Sequence, residues 1–340
     1  MSRRFLASVA AIAVAIGVLM WSHAALGQVK SSAGKPAPAA KAWTPPRTSG
    51  GQPDLQGIWS NATITPLERP AELAGKEFFT EAEAVEYTKQ VLARNNADRR
   101  DGSAEADVGR AYNDFWWDRG TNVVKTRRTS LIVDPPDGKI PPPTPEAQKR
   151  QADRAGRNRG HEFDGPENRP LAERCIMWGS TGPPMLPTAY NNNIHILQNP
   201  DFVVILVEMI HDARIIPLDG RSHLPENIHQ WKGDSRGHWE GDTLVVETTN
   251  FSQKNPFRGA SEKMRITERF RRMDPDTLLY RFTVEDPSSL TKPWTAEIPM
   301  MKTAGPIFEY ACHEGNYAMT GGLAGARTQE KAAEEAATKP

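Results

Sequence analysis

The run FVVILVEMIHDARII, residues 202–216, decides the fold class of this 340-residue chain. Side chains alternate between the two faces of a β-strand. One face of this run is apolar except for a single histidine, and it comprises Val203, Ile205, Val207, Met209, His211, Ala213 and Ile215. We therefore predict one long strand whose His211 side chain points into the core or into a cavity. A bulge near Asp212 would exchange the faces and place Asp212 and Arg214 inside instead.

The second half of the chain contains further alternating apolar runs, at residues 194–197, 243–249, 264–272, 278–285, 294–300 and 307–311. Turn-forming residues such as Asp219-Gly220 and Asp274-Pro275-Asp276 separate them. Short strands at this spacing, without a helical pattern between them, are typical of antiparallel meanders. The sequence thus predicts a mainly β domain with a few peripheral helices. We expect a lipocalin-like barrel, with a β-sandwich as the second choice.

Two helices are predicted in the first half of the chain. Thr80 and Glu83 form a capping-box pattern, in which each side chain satisfies a free amide at the start of a helix. This predicts a helix near residues 80–94. Thr144 followed by Pro145 is a cap residue with proline at the first helical position, which predicts a second helix near residues 144–155.

The start of the chain predicts export. Arg3 and Arg4 precede an apolar run at residues 5–20, and small residues follow near Ala24, which is the pattern of a signal peptide over residues 1–27. The apolar run is shorter than the about 20 residues of a membrane anchor, so cleavage is favoured over retention. We expect a periplasmic or secreted protein with no membrane span after cleavage. Secretory and twin-arginine export both stay open.

Composition divides the rest of the chain into three parts. Residues 28–53 are dominated by Ala, Pro, Lys, Ser and Gly and bury too little apolar surface to fold, so they are predicted to be a disordered linker. Residues 321–340 are rich in Ala, Glu and Lys and are predicted to be a disordered or loosely helical tail. Residues 54–320 then form a single β-rich domain.

The charges and the cysteines narrow the function classes. Lys plus Arg equals Asp plus Glu, at 42 each, which argues against a nucleic-acid partner. No glycine-rich phosphate loop and no HExxH pattern occurs, so no cofactor and no metal are expected. In an oxidising compartment Cys175 and Cys312 are expected to form a disulfide, the alternative being two buried thiols. The sequence does not define the oligomeric state.

Several motifs carry a resemblance to a protein family. They are HDARII at residues 211–216, LDGRSH at 218–223, GDS at 233–235, GHWEGDTLVVET at 237–248 and EYAC at 309–312. With these motifs the chain resembles a family of exported, functionally uncharacterised bacterial proteins. The resemblance covers most of the domain. It implies export and brings no activity with it.

A shorter motif bears on the architecture. Gly57-Ile58-Trp59 is similar to the Gly-x-Trp that opens the first strand of lipocalin-type barrels. The later run of strands fits this resemblance, which implies a barrel with a ligand cavity.

The residues that could carry chemistry lie on the predicted strands. Glu268 is a carboxylate on an otherwise apolar face, so an inward His211 and an inward Glu268 would form a general acid/base pair. Asp212 would orient the histidine, and Arg214 or Tyr190 would stabilise developing negative charge. The alternative is that a backbone group or an arginine satisfies each buried group, as is usual for buried polar side chains.

Other side chains are candidates for substrate binding. Aromatic rings and amides near strand ends can line a small-molecule pocket, and these candidates are Trp117, Tyr190, Asn191, His223 and Trp239. The sequence therefore favours a cofactor-free acid/base enzyme of lyase, isomerase or cyclase type that acts on a small molecule. A non-catalytic lipocalin-like binder of a small hydrophobic ligand is one alternative. An envelope-associated structural or polymer-recognition protein is the other.

Overall fold

The computed structural model of the protein describes residues 43–100, 102–109, 113–254 and 257–338. The predicted signal peptide, 1–27, and residues 28–42 of the predicted linker lie outside the described residues. From Thr44 onward the chain forms one compact unit. Within the described ranges no helix is both long enough and apolar enough to cross a membrane.

One antiparallel sheet of ten strands dominates the domain, which confirms the mainly β prediction. The strands are β1 Gly57–Ser60, β2 Ile132–Asp134, β3 Asn193–Gln198, β4 Phe202–Val207, β5 Asp212–Pro217, β6 Asp234–Glu240, β7 Thr243–Thr249, β8 Arg265–Asp274, β9 Thr277–Glu285 and β10 Trp294–Thr303. The α-helices are α1 Glu81–Asn95, α2 Ala104–Gly109, α3 Pro145–Asn158 and α4 Tyr317–Ala337. The first and third begin at the caps that the sequence predicts, Thr80 and Thr144.

The sheet has two free ends, β5 and β6. Nine of the ten strands follow the order β5-β4-β3-β1-β10-β9-β8-β7-β6, while β2 pairs with β10 off this path. Each neighbour is antiparallel to the next, so an odd number of strands makes β5 and β6 run in the same direction. These two strands lie side by side, and no ladder joins them among the described residues. A closed barrel is therefore not shown.

Large side chains fill the inner face of the sheet. Trp59, Phe270, Tyr280, Phe282 and Trp294 are at most 1% exposed. The last four of these rings form a chain of contacts across β8, β9 and β10, with the centroids of successive rings 4.9–5.5 Å apart. Burying such a ring contributes about 1.5–3 kcal/mol. The alternating runs of the sequence therefore predict the core face correctly on these strands.

The run at residues 202–216 differs from its prediction as a single strand. It is a hairpin of β4 and β5 joined by a 3-10 turn at Met209–His211. Ile210 and His211 adopt left-handed backbone conformations in this turn, with φ of 60° and 42°. Because the turn exchanges the faces, His211 is exposed, whereas Arg214 and Ile216 are buried. This outcome matches the alternative in which Arg214 lies inside.

Both ends of the described chain are ordered, and the C-terminal end adopts the helical alternative of its prediction. At the C-terminal end, α4 is a 21-residue helix with no buried residue, which agrees with the high helix propensity of Ala, Glu and Lys. At the start of the described chain, Arg47 donates to Gly51 O at 3.1 Å and forms an ion pair with Asp242 at 2.7 Å. The last part of the predicted linker is therefore packed on the domain. Residues 307–311 do not form the predicted strand.

A disulfide joins Cys175 and Cys312, whose Cα atoms lie 5.7 Å apart, and this confirms the prediction from the cysteines. The side-chain amide of Asn316 donates to Glu173 O at 2.8 Å beside it. The disulfide therefore fixes the segment that leads from β10 into α4.

Candidate functional site

The structure does not bring His211 and Glu268 together. His211 lies in the exposed hairpin turn, where its Nδ1 donates to Tyr310 O at 2.9 Å. Glu268 is fully buried and forms a bidentate ion pair with Arg214, at 2.6 Å and 3.0 Å. The predicted inward orientation of His211 is wrong because the turn reverses the chain before the histidine can enter the core.

Glu268 instead belongs to a buried network of three side chains. The Tyr280 hydroxyl donates to Glu268 Oε1 at 2.8 Å and accepts from Met185 N at 3.1 Å. Burial, followed by the charge of Glu268, raises the pKa of Tyr280 well above its ordinary value. Burial opposes the charge of Arg214, but Glu268 outweighs it and raises the pKa of the guanidinium. These contacts satisfy the hydrogen-bonding capacity of the Glu268 carboxylate. This is the alternative in which an arginine satisfies the buried group.

Asp212 and Arg214 do share a groove between β5 and β6, with a volume of about 1120 Å³. Asp212 forms an ion pair there with Lys232. Burial lowers the pKa of Lys232, with a smaller contribution from the Arg214 charge, although Asp212 opposes this shift. The Asp212–Lys232 pair connects β5 to the residues that enter β6.

His223 and Trp239 are not part of a common pocket with Tyr190. His223 Nδ1 lies 2.8 Å from Asp234 Oδ2, and Arg236 binds the other oxygen of Asp234 at 2.6 Å. Trp239 is half-buried and packs against the core. The His223–Asp234 contact holds the connection between β5 and β6 to the sheet, whereas Trp239 packs from within β6.

The other three predicted binding residues meet in one cleft of about 580 Å³. We call it the aromatic cleft, and its lining residues are Phe115, Trp116, Trp117, Asp118, Tyr190, Asn191, Asn193, Glu208 and Phe308. The rings of Phe115 and Trp116 meet at 85°, and those of Trp117 and Tyr190 meet at 59°. Phe115, Trp116 and Phe308 are 83%, 62% and 63% exposed. Exposed aromatic rings therefore form a large part of the lining of the cleft.

Local backbone contacts hold the two walls of the cleft together. A 3-10 turn at Asp114–Trp116 precedes Trp117 and Asp118, and Asp118 N donates to Ala189 O at 2.9 Å. The buried side chain of Asn192 donates to Asp118 O and to Thr188 O, the latter at 3.1 Å. The segment at 114–118 is thereby fixed against the residues that enter β3.

Two carboxylates face this cleft. Glu208 is only 2% exposed, and its oxygens accept from Phe308 N at 2.9 Å and from Asn193 N at 3.4 Å. Partial burial and then the charge of Glu208 raise the pKa of Asp118, with Asn192 opposing the shift. Asp118 as a whole residue nevertheless keeps an exposed face. Among the described residues that line the cleft there is no Lys, Arg or His.

Sequence reasoning missed both carboxylates. Asp118 directly follows three aromatic residues, and Glu208 ends the apolar run of β4. Each position carried a signal, because a carboxylate beside large apolar residues is unusual. Their proximity carried none, since it depends on packing between distant segments. Within the described ranges, no group of three His, Cys, Asp or Glu residues could hold a metal ion.

Comparison with known proteins adds no assignment at this point. No protein-family model, no curated protein and no solved structure matches the chain significantly.

Proposed function

We propose that the protein is an exported, cofactor-free acid/base enzyme of lyase, isomerase or cyclase type, with the aromatic cleft as its active site. Asp118 acts as the group that takes and returns a proton. Glu208 acts as a fixed negative charge that strengthens Asp118 as a base. Tyr190 and Asn191 orient the small-molecule substrate. The roles first expected of His211 and Glu268 pass to these two carboxylates.

The observation that carries this proposal is the placement of Asp118 beside Glu208 in a ring-lined cleft whose described lining includes no basic residue. Two like charges in one partly desolvated site increase the proton affinity of the more adaptable member. Glu208 is held by two backbone amides, whereas Asp118 faces the open cleft. A base is most effective when its pKa moves towards the working pH, and the direction of the Asp118 shift supports this role.

A deuterium wash-in screen tests the proposed chemistry. Carbon acids of varied structure are incubated in deuterated buffer with the full chain or with the Asp118→Asn variant, and mass spectrometry measures deuterium incorporation. We expect incorporation with the wild type and a loss of at least about 100-fold with Asp118→Asn, the usual contribution of a general base. Asp153→Asn is the matched control, because Asp153 is exposed on α3 and does not line the cleft. Equal exchange by Asp118→Asn would refute Asp118 as the base.

A non-catalytic small-molecule binder is the second candidate. The large exposed rings of Phe115, Trp116 and Phe308 favour it, since apolar surface of this kind marks ligand sites.

The lipocalin-like barrel remains a proposal. Gly57 does open β1, and Trp59 in that strand is fully buried, which supports the resemblance. The location in the periplasm or outside the cell and the resemblance to exported bacterial proteins also stay predictions.

A further inference from the structure

We infer that the aromatic cleft recognises an organic cation, that is, a small molecule carrying a quaternary or protonated amine. This inference rests on the site of the proposed function and names the class of compound that the site takes. It also holds for a site that only binds.

The described lining of the aromatic cleft is acidic. It contributes two carboxylates, Asp118 and Glu208, and no basic side chain. Within the described ranges neither carboxylate forms an ion pair with Lys, Arg or His, and Glu208 is satisfied by backbone amides alone. Buried charges in proteins are normally paired. A bound cation would therefore supply the countercharge that the described residues do not provide in this cleft.

The arrangement of the rings also favours a cation. Cations bind over the faces of aromatic rings, and cages of such rings recognise quaternary ammonium groups. Phe115 and Trp116 meet nearly at a right angle, with centroids 5.3 Å apart, and Trp117 and Tyr190 meet at 59°, with centroids 6.0 Å apart. Rings at such angles offer faces from several directions. Arg119 already stacks over the Trp117 ring at 4.0 Å, so one face of this ring is occupied by a cation of the chain.

The acidic lining and the arrangement of the rings favour the same class of ligand. A purely apolar ligand would desolvate Asp118 further and give neither carboxylate a countercharge, which costs free energy. An anionic ligand would add to their repulsion. An organic cation gains from the aromatic rings and from both carboxylates, and it offsets the repulsion between Asp118 and Glu208.

Choline and an uncharged analogue of the same shape provide the test. The uncharged analogue is 3,3-dimethylbutan-1-ol, called dimethylbutanol below. In it a tert-butyl group replaces the trimethylammonium group of choline, so the two probes differ mainly in charge. Calorimetric titration of the full chain should show choline binding at least about tenfold more tightly than dimethylbutanol. Trp116→Leu and Asp118→Asn should each weaken choline binding by a similar factor, while Asp153→Asn should leave it unchanged. Asp118→Asn should hardly alter the affinity for dimethylbutanol.

Several results would overturn the inference. These are equal affinities for the two probes, no binding of choline at millimolar concentration, or an unchanged choline affinity in Asp118→Asn. Circular dichroism of each variant ensures that a loss of binding is not a loss of folding. The catalytic proposal fails separately: choline binding without deuterium exchange in any compound leaves the cation site standing and refutes the enzyme. Exchange confined to neutral compounds, without choline binding, leaves the enzyme standing and refutes the cation site.

Discussion

At the scale of single residues, the sheet contains one charge pair sealed in its core. Arg214 and Glu268 face each other from β5 and β8, and Tyr280 completes the hydrogen bonding of the carboxylate. Such a pair stabilises less than its short distances suggest, because both ions lose their hydration. Removing one partner alone is nevertheless costly, since the remaining charge stays buried.

This gives a prediction for the Arg214→Met variant. The free energy of unfolding should fall by about 3–5 kcal/mol, because Glu268 loses its cation and keeps only the Tyr280 hydroxyl. The double variant Arg214→Met with Glu268→Gln should recover part of this loss, since no charge remains buried. Urea denaturation of the two variants and the wild type measures the difference. A double variant that is less stable than Arg214→Met would contradict this account.

Asp118 should also show its environment in the stability of the protein. Its pKa is raised in the folded state, so the folded chain binds this proton more tightly than the unfolded chain does. Stability must then fall as the pH rises from the ordinary Asp pKa of about 3.9 through the raised value. Asp118→Asn removes this loss, and we expect the variant to be more stable than the wild type at neutral pH.

Below the ordinary Asp pKa both proteins carry an uncharged side chain at this position, and their stabilities should converge. Thermal unfolding at neutral and at acidic pH measures this change. Asp153→Asn again serves as the control, for which no such convergence is expected. A neutral-pH stability of Asp118→Asn below that of the wild type would show that the carboxylate is stabilised in its ionised form.

At the scale of elements, the contact between β5 and β6 is made by side chains. A Cβ atom on Gly237 would lie 2.8 Å from Leu218 Cδ2 and 2.9 Å from Ile216 Cγ2. Gly237→Ala should therefore force these strands apart and cost about 1–3 kcal/mol, the usual effect of overpacking. Gly179→Ala, where a Cβ atom meets nothing within 4 Å, is the matched control. Equal unfolding midpoints for the two variants in urea would mean that the strands are not packed as described.

The elements also show what a sequence can and cannot predict. The strands at 243–249 and 278–285 and the helix caps at Thr80 and Thr144 follow from alternation and local hydrogen bonding, so they were predictable. The hairpin turn after β4 was not, because its residues Glu208 to His211 include no Gly, Pro, Asn or Asp. Its left-handed residues are instead held by tertiary packing, with Ile210 buried in the core. Because this turn was not predicted, His211 was expected to point inward and Arg214 outward. The structure shows the opposite for both side chains.

The candidate site divides in the same way. Trp117, Tyr190 and Asn191 were predicted because aromatic rings and amides near strand ends are typical of pockets. The pairing of Asp118 with Glu208 was not, since it results from the packing of a loop against the end of β4. A sequence can show which side chains are able to do chemistry. Which of them meet is decided by the sheet.

At the scale of the whole molecule, the disulfide closes a loop across most of the sheet, with a sequence separation of 137 residues. In the chain-entropy model a cross-link over a loop of this length stabilises the folded state by about 5 kcal/mol, since it restricts the unfolded chain. The double variant Cys175→Ser with Cys312→Ser should therefore unfold at a clearly lower denaturant concentration. Urea denaturation measures this loss, and full reduction of the wild type should reproduce it. An unchanged midpoint in both cases would contradict the expected stabilisation.

The same cross-link has a practical consequence for anyone who assays this protein. Phe308 lies a few residues before Cys312. Its ring lines the aromatic cleft, and its backbone amide donates a hydrogen bond to Glu208. Dithiothreitol in a purification buffer, or expression in a reducing cytosol, would release this segment from its anchor before any ligand is tested. The thiol status of a preparation should therefore be recorded with every binding constant, because two laboratories with identical sequences could otherwise handle two different sites.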